Sequence, residues 1–227
     1  MPWPRFWHAG AKPDIPNSSR HYARKFAELA AGRGTDRSFR VLDAGAGSAP
    51  YADLFGHVTY ETADYAATEG KDYSHIDYRC DIVDLPVEDA RFDLVWCSQT
   101  LEHCREPVTV LREFHRVLKP GGEAWLTAPL YYEEHEKPWD FWRFTQFGWQ
   151  HMAQESDLDV VEIERMEGFY GTLSYSLAMG ARHLPREMRQ QRKQLRGLAA
   201  EFAELDLTDK RTDIGMSKNY QVVLRKT

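Results

Sequence analysis

Cysteine is scarce in this chain, with three among 227 residues. Cys80, Cys97 and Cys104 are odd in number and fall in or beside expected strands and a helix, which excludes a disulfide framework and predicts buried, reduced thiols. Their spacing holds no metal-binding pattern. A long apolar run is missing as well. No stretch approaches the roughly 18 residues of a membrane span, and the opening MPWPRFWHAG has no continuous apolar core of the kind a signal peptide carries. A cytoplasmic protein without a transmembrane segment is expected. Positive charge is not in excess, since 29 Lys and Arg face 35 Asp and Glu for a net charge of -6. Such a balance gives no general pull toward nucleic acid or an anionic membrane, so a nucleic-acid partner is disfavoured. No internal repeat is present, and the length suits one domain.

What is there begins with RVLDAGAGSAPY at residues 40–51. Val41, Leu42 and Ala44 form a short apolar run suited to a central parallel strand, and Gly45 and Gly47 let the backbone turn at its carboxyl end. Ligands of open α/β sheets bind at such a place. Pro50 is expected in the first turn of a following helix whose free N–H groups face the pocket. A dinucleotide site would carry a third glycine where Pro50 stands. An acid at Asp43, directly before the glycines, would repel a pyrophosphate but suits a ligand that carries positive charge. S-adenosylmethionine has both an ammonium and a sulfonium.

Downstream, HVTYETADYA at residues 57–66 reads as a second strand ending in Asp64, and an acid about 20 residues past a glycine loop suits ribose hydroxyls. In CDIVDLPVEDARFDLVWCSQTLEH, residues 80–103, Asp81 closes a third strand and residues 92–97 form a fourth. PVTVLREFHRVLKPGG, residues 107–122, opens a helix at Pro107, sets Val110, Leu111, Phe114, Val117 and Leu118 on one face, and stops at Pro-Gly-Gly. A fifth strand follows at 123–128, a helix begins near Thr145, and strands are expected at 159–166 and 219–226. An earlier helix at 17–31, capped by Asn17, Ser18 or Ser19, places Tyr22, Phe26, Leu29 and Ala30 on one side. Alternating strands and helices argue a doubly wound α/β sheet, mostly parallel.

These motifs, in this order, resemble the class I S-adenosylmethionine-dependent methyltransferases, and within them the type 11 group that modifies mostly small molecules. The resemblance implies a seven-stranded Rossmann-like sheet whose last two strands pair antiparallel at an edge. It implies a single domain in which residues 1–35 form an arm and a covering helix, 36–167 and 216–227 the cofactor-binding core, and 168–215 a helical insertion. By the same resemblance Asp43, Gly45 and Gly47 approach the methionine part of the cofactor, Asp64 the ribose and Asp81 the adenine amine, while Ile82 packs on the ring and Ser98 meets the amino-acid end. Ala49 departs from the family, where glycine is common. Taken singly, each acid is compatible with ordinary turn chemistry.

The acceptor side is read from PLYYEEHEKPWDFWRFTQFGW at residues 129–149, an unusually aromatic stretch at the carboxyl ends of the strands. Tyr131, Trp139 and Trp142 are candidate substrate contacts. HEKPWDFWRFT resembles a stretch found in one branch of the type 11 group. In it His135 suits a general base, Asp140 orients that base, and Arg143 pairs with an acidic acceptor. Against this, Asp140 and Arg143 at i, i+3 also make an ordinary local ion pair, and the aromatics also make core. His103 is a rival base, lying with Glu102 just past the fourth strand. His135, Glu136 and His151 match no metal-binding spacing, so no metal is expected.

In the insertion, Tyr170, Leu173, Tyr175, Leu177 and Met179 are first of all core, with an acceptor pocket, a homodimer face or membrane contact as alternatives. The basic run REMRQQRKQLR, residues 186–196, is the only local support for an RNA or protein target. The reading that results is methyl transfer from S-adenosylmethionine to an O or N atom of a small, aromatic or sugar-bearing acceptor. The alternatives are a macromolecular target, a non-catalytic cofactor-binding partner protein, and a nicotinamide oxidoreductase.

Overall fold

Helix α1 (Ser18–Ala31) opens the part of the chain that the computed structural model describes, which is residues 18–66 and 72–227. The arm before residue 18, including the expected cap Asn17, lies outside the described residues. Then come β1 (Arg40–Ala44), β2 (Thr59–Asp64), β3 (Tyr78–Arg79) and β4 (Phe92–Ser98), followed by α2 (Pro107–Val117), β5 (Leu118–Pro129) and α3 (Gln146–Glu155). The chain finishes with β6 (Asp159–Arg165), α4 (Phe169–His183), α5 (Arg189–Thr208) and β7 (Asn219–Arg225).

The strands form a seven-stranded sheet in the order β3-β2-β1-β4-β5-β7-β6. Pairs within the first five are parallel, whereas β7 runs antiparallel to both β5 and β6. The expected antiparallel edge pair is therefore present. Strand order reverses between β1 and β4, and the crevice beyond their carboxyl ends is where this architecture receives ligands.

Alternation along β1 sends Val41 and Leu42 into two different cores. On one face Leu42 packs with Val95 and with Val110, Leu111, Phe114 and Val117 of α2. On the other, Val41 joins Phe26, Ala27, Ala30, Trp96 and Trp125. The Phe26 ring lies 4.8 Å from that of Trp125, so α1 is fastened to the sheet by one large residue among alanines. Leu29 was expected on this face but is 63% exposed. Phe26, Ala27, Ala30 and Ala31 are the residues that α1 buries in this core, and at about 100° per residue Leu29 falls outside the arc they share.

Three boundaries differ from expectation by more than one residue. The glycine turn leads only to a four-residue 3-10 helix at Ala52–Phe55, not to an α-helix, because β2 starts at Thr59 and leaves too little chain. The third strand ends at Arg79, so Asp81 lies beyond it in a turn where its Oδ1 accepts from the Val83 N–H. The fifth strand begins at Leu118, since Leu118 already pairs with Phe92.

Thr145 caps α3 as expected, accepting from the Gly148 N–H at 3.1 Å. Helices α4 and α5 pack on each other through stacked Tyr170 and Phe202 and through Ser174 Oγ donating to the Ala199 carbonyl at 2.6 Å. Tyr22 of α1 donates to the Asp206 carbonyl, so the insertion is tied to the first helix. Among the described residues no helix is long and apolar enough to cross a membrane. The three cysteines are free thiols, with Cys97 buried and the others half-buried.

Candidate active site

Gly45 and Gly47 take φ of +77° and +56°, conformations that a side chain strongly disfavours. A Cβ on Gly45 would lie 2.2 Å from Thr100 Cγ2, whereas above Gly47 nothing lies within 4 Å. One glycine is therefore demanded by the protein, and the other leaves open space for a ligand. The Gly45 and Ala46 N–H groups both donate to the Ala63 carbonyl, pinning the turn to β2. Asp64 closes it, accepting from the N–H of Gly47 at 2.9 Å and of Ala66 at 2.7 Å. Each of its oxygens retains a lone pair for a further donor. Ala49 sits at φ +47°, the left-handed region in which glycine is the unstrained choice.

The turn walls a cavity of about 170 Å³ lined by Asp43, Gly45, Ala46, Pro50, Tyr51, Trp96, Ser98 and Gln99. Asp43 is 3% exposed and accepts a short hydrogen bond from the Tyr60 hydroxyl. Burial pushes its carboxyl up to about 7, with Tyr60 opposing the rise and the charge of Asp64 adding to it. Burial, together with the Asp43 carboxylate, likewise raises the Tyr60 phenol well above its ordinary range, so Tyr60 remains a donor. Ser98 Oγ is 2.8 Å from Thr127 Oγ1.

This pocket fits the methionine end of S-adenosylmethionine. A buried acid costs free energy until a cation faces it, and an ammonium supplies that cation. A pyrophosphate would meet two carboxylates and no helix N-terminus, because the 3-10 helix is only four residues long. The volume suits an amino-acid-sized group. Ile82 is buried in the core cluster with Leu85 and Ala63.

On the acceptor side, residues 130–145 form no regular element and dock on the 3-10 turn Leu101–His103 that follows β4. The N–H groups of Phe141 and Trp142 donate to the Glu102 carbonyl, and Trp142 Nε1 donates to the Cys104 carbonyl at 2.9 Å. His103 Nδ1 bonds the Trp139 carbonyl. A carbonyl only accepts, so Nδ1 carries the proton and Nε2 of the neutral ring holds a lone pair. The docking brings His103 and His135 together, ring centroids 4.7 Å apart.

Beneath them Glu102 is fully buried, and neither carboxylate oxygen has a hydrogen-bond partner. Burial pushes its carboxyl up to about 8. His103 Nε2 lies 3.9 Å from both Glu102 Oε1 and Glu136 Oε2. The Asp140 carboxylate accepts from the His135 backbone N–H at 2.8 Å and lies 3.3 Å from His135 Nδ1, a placement that orients the ring.

Arg143 grips the same carboxylate with both terminal nitrogens, at 2.7 and 2.8 Å, and holds Asp140 down to about 2. Its remaining donors go to the carbonyls of Tyr132, Glu133 and Trp142. This corrects the expected pairing with an acidic acceptor, since the guanidinium is already engaged by the chain.

The surplus of aromatics divides between core and surface. Phe144 and Trp149 are buried and stacked. Trp139 and Trp142 are about half exposed, with the Arg105 guanidinium 5.2 Å above Trp139. Tyr131 meets Tyr175 edge to face, and Lys218 Nζ lies 4.6 Å above Tyr175. Glu102, Tyr60, Tyr51 and Gln99 were not among the expected site residues. The neighbour pair Glu102-His103 was a usable signal for the first, whereas Tyr60 reaches Asp43 only through strand pairing.

Known proteins resemble this chain in sequence and in fold. A family described as a methyltransferase domain matches residues 29–126. A ubiquinone biosynthesis O-methyltransferase of Xanthomonas oryzae pv. oryzae is 38% identical over 101 residues, covering 39% of this chain and 42% of that protein. The chain thus spans under half the length of these curated relatives, 24% for the same enzyme of Pseudomonas paraeruginosa and 19% for a malonyl-(acyl-carrier protein) O-methyltransferase of Pseudescherichia vulneris. Among solved structures, a Burkholderia thailandensis 1,6-didemethyltoxoflavin N1-methyltransferase with bound S-adenosylhomocysteine superimposes with TM-score 0.56 at 17% identity, covering 93% of this chain and 79% of that one. The (4+2)-cyclase SpnF superimposes with TM-score 0.59 at 21% identity, covering 90% and 80%. The fold is shared, and a cyclase among its bearers means that the site must carry the functional argument.

Proposed function

We propose that this chain, a member of the class I S-adenosylmethionine-dependent methyltransferases by its fold and by the methyltransferase domain at residues 29–126, transfers a methyl group to an O or N atom of a small molecule. The observation that carries the proposal is the cavity that buried Asp43 lines together with Gly45, Ala46, Ser98 and Gln99. In this reading Asp43 pairs with the ammonium of the cofactor, Gly45 and Gly47 allow close backbone approach, and Ser98 meets the amino-acid end. Asp64 takes the ribose hydroxyls, Asp81 the adenine amine, and Ile82 walls the ring. When bound, the cofactor supplies an electrophilic methyl carbon, and the chain's own contribution is alignment and control of the acceptor's proton.

In this reading the acceptor's nucleophilic atom is held at Glu102 and His103, in the turn that follows Ser98 and Gln99 of the pocket wall, and at His135, whose ring lies beside that of His103. Lone pairs there favour loss of the acceptor's proton. Tyr131, Tyr132 and Trp139 give the acceptor side flat apolar surfaces, and an aromatic hydroxyl is the preferred acceptor class. The relatives named above as O- and N-methyltransferases support the same choice. Transfer of labelled methyl from S-adenosylmethionine to a panel of phenols, catechols and aromatic amines tests it. Label that reaches only RNA or protein would overturn the small-molecule acceptor.

A further inference from the structure

Three ligand-type atoms converge at the acceptor side: a carboxylate oxygen of Glu102 and a ring nitrogen each of His103 and His135 lie within 4.8 Å of one another. The set weighed from spacing, His135, Glu136 and His151, is not the one the fold assembles. The docking of residues 130–145 onto the turn after β4 does what local spacing cannot, bringing His135 to a Glu-His pair far away in the chain.

With Glu102 ionised, each of the three groups offers a lone pair. His103 donates its Nδ1–H to the Trp139 carbonyl, which leaves the ring's lone pair on Nε2. His135 Nδ1 points to the Glu133 carbonyl at 3.2 Å and to Asp140 Oδ2 at 3.3 Å, so its lone pair is on the other nitrogen. Glu102 is fully buried with both oxygens unpartnered. Three converging lone pairs with no other partner for the Glu102 oxygens repel one another until a proton or a metal cation joins them. The outer partners are those that metal-bound histidines use, one carbonyl and one carboxylate, which fix the tautomer and the ring orientation.

We propose that Glu102, His103 and His135 form a binding site for one divalent transition-metal ion. Two imidazoles and one carboxylate select zinc-like or iron-like ions over magnesium and calcium, which prefer oxygen. Ligand bonds of about 2.0–2.2 Å let an ion bridge atoms up to about 4.4 Å apart, so the 3.9 Å between His103 Nε2 and Glu102 Oε1 is already within reach and small side-chain rotations close the rest. Three protein ligands leave positions open for an acceptor oxygen.

The use of this ion in catalysis rests on the methyl-transfer reading, whereas its binding does not. An acceptor hydroxyl on the ion gives its proton to solvent and attacks as the oxyanion. The new C–O bond forms as the S–CH3 bond breaks, and S-adenosylhomocysteine leaves as the neutral thioether.

The test uses the untagged full chain, stripped with chelator and dialysed against Zn²⁺ or Co²⁺, with metal content read by mass spectrometry and Co²⁺ by its visible d–d bands. One ion per chain is expected. Glu102→Gln, which keeps shape, and His135→Ala each weaken binding by at least about tenfold, while His151→Ala leaves it unchanged. Circular dichroism confirms that each variant is folded. No uptake by the wild-type chain, or equal uptake by folded Glu102→Gln and His135→Ala, overturns the site. S-adenosylhomocysteine binding by the same stripped samples reports on the other reading. Cofactor binding without ion uptake defeats the metal site alone, and ion uptake without cofactor binding defeats the methyl-transfer reading alone.

Discussion

His103 and His135 stand edge to face with ring centroids 4.7 Å apart, each held by a hydrogen bond or ion pair at its Nδ1. They come from two loops that meet only because residues 139–142 bond the backbone and side chain of the Leu101–His103 turn. Asp140 positions one of the pair. Asp140→Asn should therefore reduce turnover more than it raises the KM for S-adenosylmethionine, by about 10- to 100-fold in kcat. Equal losses in both would place its role in folding alone.

Asp43 links stability to pH. In the unfolded chain it titrates at the ordinary 3.8 and in the folded chain at about 7. The folded state binds this proton more tightly, so the group destabilises the empty protein progressively as pH rises from 3.8, reaching its full effect above about 7. The upper figure is about 4 kcal/mol. Asp43→Asn should raise the melting temperature of the empty chain at pH 8 and much less at pH 5, while weakening S-adenosylhomocysteine binding. A lower melting temperature at pH 8 would contradict the assignment.

Ala49 holds a left-handed conformation at φ +47°. Ala49→Gly should stabilise the protein by up to about 1 kcal/mol, because relief of strain exceeds the extra chain entropy of glycine. Chemical denaturation measures this directly, and a loss of stability would show that the methyl group is packed usefully.

Arg143 and Asp140 form a bidentate pair with Asp140 Oδ atoms at 2.7 and 2.8 Å. Asp140 titrates at about 2 in the folded chain against an ordinary 3.8, so its contribution, about 2 kcal/mol, is complete above pH 4 and fades as pH falls toward 2. Arg143→Lys loses the fork and should lower the melting temperature. Its effect on KM should be the same for acidic and neutral acceptors, since the guanidinium is engaged within the chain. A selective loss for acidic acceptors would restore it to the substrate site.

Much of the fold was legible because it is local. The run Val41-Leu42 before two glycines, Pro107 at a helix start and Thr145 as a cap each act through near neighbours, and each lies where expected. Leu29 and Asp81 went astray because their settings depend on which arc of α1 faces the sheet and on how short β3 is. At the site, Asp43, Gly45 and Gly47 were readable from one turn. The convergence of Glu102, His103 and His135 was not, because His103 and His135 appear in sequence as competing candidates and only tertiary docking makes them partners. Arg143 was readable as a pair with Asp140 but not as an arginine with no donor left over.

The central claim is that the glycine turn receives S-adenosylmethionine. Titration calorimetry of the full chain with S-adenosylhomocysteine and, separately, with NAD tests it most directly. The account predicts heat of binding with S-adenosylhomocysteine only, and a clear loss of affinity in Asp64→Ala. Binding of NAD without S-adenosylhomocysteine, or an Asp64→Ala chain that binds S-adenosylhomocysteine as the wild type does, would contradict it.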